Sequence, residues 1–138
     1  SASVPAAGEM KISAVSGNSV SSCSLLRSAG ASDAYNAKED VVSLIDEDFM
    51  PKVKVYTVAG KRALDIQKMS NATRVDLGFM VKDGSQQTKF TLNYGSNWKG
   101  WTLVDKQTRN RYLLDGTSLT VNAGAMKSNN GRFYLVKE

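Results

Sequence analysis

A chain of 138 residues is the size of one ordinary domain and can bury roughly two-thirds of its unfolded surface, so a self-sufficient core is within reach. Its 41% hydrophobic and 22% charged content fits a globular protein and excludes wholesale disorder, and no apolar run approaches the length of a membrane-spanning helix. The formal charge of +5 is unevenly spread: residues 1–51 hold three basic and seven acidic side chains, a net of −4, while residues 52–138 hold fifteen basic and six acidic, a net of +9.

Ser1 to Gly8 is a small, apolar-poor stretch that does not open on Met. It reads as a mature or excised segment, or as the cut edge of a domain, and is expected to be flexible. From Glu9 to Val15, Met10, Ile12 and Ala14 alternate with Lys11 and Ser13, which predicts a strand with one buried face. Ser16-Gly17-Asn18-Ser19 is a turn by composition, and Val20 to Arg27 is a second strand that carries the lone cysteine, Cys23, as a small core residue. Ser28 to Asp33 is a loop. Ala37, Val41, Leu44 and Ile45 share the only helical spacing, so at most a short helical turn is expected near residues 37–45.

Pro51 opens a strand from Lys52 to Val58. The turn Ala59-Gly60-Lys61 follows, then a strand from Ala63 to Lys68 with Leu64 and Ile66 inward and Asp65 and Gln67 outward. Val75 to Val81 is a further strand with Leu77 and Phe79 inside. Lys82-Asp83-Gly84-Ser85 contains an Asp-Gly pair of the sort that closes hairpins. The last third has the strongest pattern: Phe90, Leu92 and Tyr94, then Trp101 and Leu103, then Leu119 and Val121, then Phe133 and Leu135 each alternate with polar or solvent-side neighbours. About nine or ten strands at roughly 8–14-residue spacing, with no long helix, predict an all-β, antiparallel β-sandwich of jelly-roll type, built as a single domain over residues 1–138.

The chemistry that is absent narrows the function. The chain has no histidine, which removes the commonest general base, the commonest transition-metal ligand and every Ser-His or Cys-His nucleophile pair. One cysteine excludes an intrachain disulfide and a cysteine-rich metal site. No phosphate-cradling glycine loop is present. The carboxylates in strands, Asp65 and Asp76, sit at ordinary solvent-side positions, so a hydrolase with an acid pair ranks last. Basic residues are scattered rather than clustered with stacking aromatics, which argues against nucleic acid.

Two constellations remain. Tyr94, Trp98 and Tyr112 gather with Asn97 and Lys99 around the loop Gly95–Gly100. A Trp98 flanked by turn residues is expected to be exposed, where it can stack on a sugar ring, while Trp101 opens a strand and points inward. Glu39, Asp40, Asp46 and Asp48 supply oxygen ligands of the kind calcium takes, without the spacing or glycine of an EF-hand loop, and form a weak calcium candidate. Asn71-Ala72-Thr73 fits the N-glycosylation triplet.

Five stretches taken in order resemble a recurrent module of Bacteroidetes secreted and cell-surface, adhesin-like proteins, often found ahead of a C-terminal sorting domain. They are Ser32-Asp33-Ala34-Tyr35-Asn36-Ala37-Lys38-Glu39-Asp40; Val55-Tyr56-Thr57 with Arg62-Ala63-Leu64-Asp65-Ile66; Val75-Asp76-Leu77-Gly78-Phe79; Leu103-Val104-Asp105-Lys106-Gln107-Thr108; and Gly131-Arg132-Phe133-Tyr134-Leu135. The turn after Thr108 departs from that pattern, with Arg109-Asn110 where a glycine is common. The resemblance implies a noncatalytic β-sandwich that is exported and displayed at the cell surface, with no cofactor. The expected role is adhesion or interaction with an unknown protein or glycan partner, as part of a larger polypeptide or as a short secreted protein. The alternative is a carbohydrate-binding module using the Trp98 loop.

Overall fold

The structure, a computed structural model, describes residues 5–43 and 52–138. Eleven strands follow in chain order: β1 (Glu9–Ser16), β2 (Ser19–Arg27), β3 (Val41–Val42), β4 (Val53–Ala59), β5 (Arg62–Met69), β6 (Arg74–Val81), β7 (Gln87–Tyr94), β8 (Trp101–Asp105), β9 (Arg111–Leu113), β10 (Ser118–Ala125) and β11 (Asn129–Lys137). The helical content among the described residues is a single 3₁₀ turn, Ser96–Trp98. The fold is all-β, as the alternating pattern requires. Residues 37–39 form a turn and Val41–Val42 a short strand, while Leu44 and Ile45 lie outside the described residues.

All strands belong to one hydrogen-bonded sheet with the order β10-β7-β1-β2-β5-β4-β6-β11-β8-β9, and β3 pairs with β5 to one side. Every pairing is antiparallel except β2 with β5, which is parallel. The sheet curls until its distant strands meet. Phe90 of β7, near one end of the strand order, packs on Phe79 of β6 and Phe133 of β11, near the other, with ring centroids 5.1 and 4.8 Å apart, and Phe79 and Phe133 close the triangle at 5.8 Å. Tilted and edge-on pairs of this kind contribute about 0.5–1.5 kcal/mol each beyond the burial of the rings. Leu92, Leu103 and Leu135 are buried with them, as their alternation predicts.

The β1–β2 and β4–β5 hairpins turn on Gly17 and Gly60, whose φ values of 58° and 63° lie in the left-handed region that glycine enters without a Cβ penalty. The Asp83-Gly84 pair behaves differently from expectation. It does make a turn, with Gln86 N–H donating to the Asp83 carbonyl at 3.2 Å, but β6 and β7 do not pair. β6 lies between β4 and β11 and β7 between β1 and β10, so this link crosses from one half of the sheet to the other.

β5 departs from its predicted alternation. Leu64 is buried, but so are Gln67 and Met69, which places Gln67 inside rather than on the solvent side. The cause is a change of partner: β5 pairs with β4 from Arg62 to Leu64 and with β2 from Ile66 to Met69. The strand slips phase where it leaves one neighbour for the other, and every later side chain changes face. Beside this corner the Ser19 and Ser21 hydroxyls of β2 accept hydrogen bonds from the Val53 and Val55 N–H groups of β4, at 3.4 and 3.0 Å.

β11 carries a bulge, its register jumping between Asn130 and Tyr134 against β6. Gly131 there has φ 80°. Upstream of the bulge, Tyr56 lies over Gly78, its cross-strand partner, where a Cβ would sit 2.0 Å from the ring. The Tyr56 hydroxyl then reaches Asn130 Oδ1 on the next strand at 2.6 Å. Gly78 is glycine because the tyrosine needs its space, and the ring in turn covers the glycine.

Candidate functional site

The loop expected to bind ligand folds inward. Trp98 is 0% exposed, its indole N–H donates to the Gly8 carbonyl at 3.0 Å, and its ring packs on Trp101 with centroids 4.8 Å apart. The Arg27 guanidinium lies over both rings, 5.8 Å from Trp98 and 5.1 Å from Trp101. Tyr94 is buried, Tyr112 is half-buried against the core, and only Asn97 and Lys99 face solvent. Trp98 is therefore no stacking platform. A buried tryptophan needs a partner for its N–H, and the 3₁₀ turn supplies one by turning the ring under the N-terminal segment. That segment is held in return: Asn97 N–H donates to Ala7 O at 2.9 Å and Glu9 N–H to Ala6 O at 2.9 Å. Residues 6–8 thus make backbone hydrogen bonds to the fold; of the segment 1–8 expected to be flexible, residues 1–4 lie outside the described residues.

Of the acidic candidates, Glu39 and Asp40 are occupied by the chain itself. Glu39 Oε1 accepts from Ser32 N–H and Asn36 Nδ2, at 3.1 and 2.8 Å. Asp40 accepts from Asn36 N–H at 2.9 Å and Lys68 N–H at 2.7 Å. Asp46 and Asp48 lie outside the described residues. Among the described residues no group of three or more side chains is placed to hold a metal ion. Asp65 and Asp76 each keep a cation of their own, Lys54 at 3.9 Å and Arg74 at 3.0 Å.

Asp105 and Arg132, from the fourth and fifth of the stretches singled out in the sequence, meet in a buried two-pronged pair. Arg132 Nε and Nη2 donate to the two Asp105 oxygens, each at 3.0 Å. The same carboxylate accepts from Gln107 N–H at 2.9 Å and the Thr108 hydroxyl at 2.9 Å, fixing the β8–β9 turn. Burial pushes the Asp105 carboxyl upward, but the Arg132 guanidinium and the turn donors outweigh it and hold it below the usual carboxylate range. Arg109 takes φ 67° in this turn. That left-handed position is the one where glycine would be expected, and here an arginine fills it.

A groove of about 700 Å³ opens where the Asp33–Tyr35 loop meets the β4–β5 turn and the start of β6. The loop is tied down by its own polar residues. Asp33 accepts from the N–H groups of Ser70 and Asn71 at 2.8 and 3.0 Å, and Ser70 Oγ donates to Ala31 O at 2.7 Å. The Ser70 hydrogen bond is the chief cause of an Asp33 carboxyl held below its ordinary range. This tether places Tyr35 under Arg62, whose guanidinium sits 4.3 Å from the ring centroid. Lys61, Arg62 and Arg74 all line the groove. Arg74 is neutralised by Asp76, but among the described residues neither Lys61 nor Arg62 has a carboxylate at ion-pair distance. Gln67 lines the groove too, 5% exposed, and its buried Oε1 has no hydrogen-bond partner among the described residues.

None of these groove residues stood out in the sequence as a site. The available signal was Lys61-Arg62, two adjacent cations directly after the Gly60 turn, facing an aromatic in the Ser32–Asp40 stretch. No helix among the described residues is long and apolar enough to cross a membrane. No family model matches the chain, and neither a curated protein nor a solved structure matches it.

Proposed function

We propose that this chain is a noncatalytic interaction module that works outside the cell, with the groove beside the β4–β5 turn as its contact surface. The observation that carries the reading is a pair of cations without a carboxylate partner among the described residues, Lys61 and Arg62, held with Tyr35 at a groove rather than spread over a solvated face. Charged groups that the fold itself uses are matched, as Asp105 and Arg132 are, so an unmatched pair in a concavity is available to a partner. The resemblance to Bacteroidetes cell-surface modules supports export and display, and a sandwich-like frame with loops at its ends suits that role. The single thiol is compatible with an oxidising exterior, since burial first and the Asp65 charge second push Cys23 up to about 12 and leave it unreactive. The carbohydrate reading centred on Trp98 loses its support, because that ring is enclosed.

The test is adhesion. Beads coated with the chain are applied to arrays of extracellular glycans and peptides, beside beads carrying the Lys61→Glu/Arg62→Glu variant. The wild type should bind at least one class and the variant should not, at unchanged melting temperature. Binding that survives the double charge reversal would overturn the groove as the contact surface.

A further inference from the structure

We infer that the groove recognises a uronic acid residue, a sugar ring bearing a carboxylate. The inference rests on the groove being the contact surface and adds the ligand class. Two unmet demands converge there. The first is for negative charge. Arg62 lies over Tyr35, its guanidinium carbon 4.3 Å from the ring centroid, and a planar fork of donors matches a planar carboxylate in two parallel hydrogen bonds. Lys61, next in the chain, adds a mobile point charge on the same rim.

The second demand is for a hydrogen-bond donor. Gln67 is buried in the groove wall with its Oε1 unpartnered, and an orphaned buried acceptor is destabilising until something donates to it. Its terminal amide rotates in a broad, two-fold well, and rotation in that well is the movement by which it would meet a donor in the groove it lines. A bare inorganic anion answers the charge and leaves the amide unmet. A neutral sugar does the reverse. A uronate carries carboxylate and hydroxyl donors on one rigid ring and meets both. An acidic peptide that adds as a strand finds no free edge here, since β4 and β5 are paired with each other at Val58 with Ala63 and Ala59 with Arg62, where they wall the groove, and an acidic peptide bound through its side chains alone answers the charge without the ring hydroxyls.

Asp33, the one carboxylate on the rim, does not oppose such a ligand at close range, because its oxygens are already turned to the Ser70 and Asn71 N–H groups. Arg74, held by Asp76 and lying 4.0 Å over Tyr134, contributes field rather than a free fork.

The probe is trigalacturonate, titrated into the isotopically labelled full chain and followed by amide and side-chain NMR shifts, with neutral trigalactose and a tri-aspartate peptide in parallel. Trigalacturonate should shift Tyr35, Lys61, Arg62 and the Gln67 side-chain amide, and its affinity should fall as salt rises. Arg62→Ala should weaken it roughly tenfold or more, the loss expected of a charge-assisted pair. Gln67→Met keeps the side-chain volume and should reduce the preference for trigalacturonate over plain acetate. Equal binding of trigalactose, shifts confined to other surfaces, or no binding of trigalacturonate at all would overturn the uronate assignment. Preferential binding of tri-aspartate at the same residues would overturn it too while leaving the groove as the contact surface.

Discussion

Arg132 and Arg62 both lie against an aromatic ring, 4.7 Å from the Phe133 centroid and 4.3 Å from that of Tyr35. Only one of them is finished. Arg132 is largely covered, forked onto the buried Asp105, and stitches β11 to the β8–β9 turn. Arg62 is exposed on a hairpin, with no acid beside it among the described residues. The same side chain in the same local company is structural where its charge is answered and available where it is not. Burial separates the two aromatic environments in the same way. Trp98, the residue a sequence reading favours for binding, is spent on the fold.

The contrast is broken most forcefully at the finished site. Arg132→Ala leaves the Asp105 carboxylate buried without its cation, and such half-pairs cost about 3–5 kcal/mol. Phe133→Ala, one residue on, empties the aromatic triangle and should cost a similar ~3–5 kcal/mol by cavity formation. Urea denaturation of both variants checks the two values. Arg132→Ala with a midpoint like that of the wild type would show that the pair is not what holds β11 to the turn.

A pH titration of stability sharpens the same point. The folded Asp105 carboxyl lies below its unfolded value of about 3.9, so its stabilisation is present above that pH and is lost as pH falls through the lower folded value. Asp105→Asn lacks this contribution. The stability gap between wild type and Asp105→Asn should be constant above about pH 5 and shrink below about pH 4. A gap that does not change with pH would mean that the charge on Asp105 is not what the site uses.

The strands were legible because their alternation is local. Met10, Ile12 and Ala14, or Phe90 and Leu92, declare a buried face without reference to any other strand. Three things were not legible, each for a non-local reason. Gln67 is buried because β5 leaves β4 for β2, a change of partner that its own residues do not encode. The Asp83-Gly84 turn is encoded, but whether the strands it joins pair with each other is decided by the whole sheet. Trp98 is flanked by glycines, asparagine and lysine like a surface residue, and it is covered by residues from elsewhere in the chain, Arg27 among them and Gly8 from 90 positions away. The groove depends on the same kind of contact, Tyr35 meeting Arg62 across the chain. Asp105 and Arg132 lie within two of the stretches that carry the resemblance, but their pairing is visible only once the β11 bulge aims the arginine at the turn.

A smaller effect comes from Tyr56. Tyr56→Phe keeps the ring over Gly78 and removes only the hydroxyl bonded to Asn130, which should cost about 0.5–1.5 kcal/mol. Tyr56→Ala uncovers Gly78 and deletes a buried ring, and should cost well beyond that. Equal losses from both variants would make the hydroxyl, not the ring, the reason for the tyrosine.

The smallest expected effect is the one that decides the comparison. Arg62→Ala removes an exposed side chain whose interaction among the described residues is with the Tyr35 ring, and contacts of that kind are worth about 0.5–1 kcal/mol at exposed sites. Stability should therefore change by less than about 1 kcal/mol, within the range of ordinary surface substitutions. Arg132→Ala should change it several times more. If Arg62→Ala proves as damaging as Arg132→Ala, its guanidinium is holding the Asp33–Tyr35 loop in place, and the groove has no free cation to offer a partner. If it is nearly silent in stability and still abolishes binding, the charge at this rim serves something other than the fold.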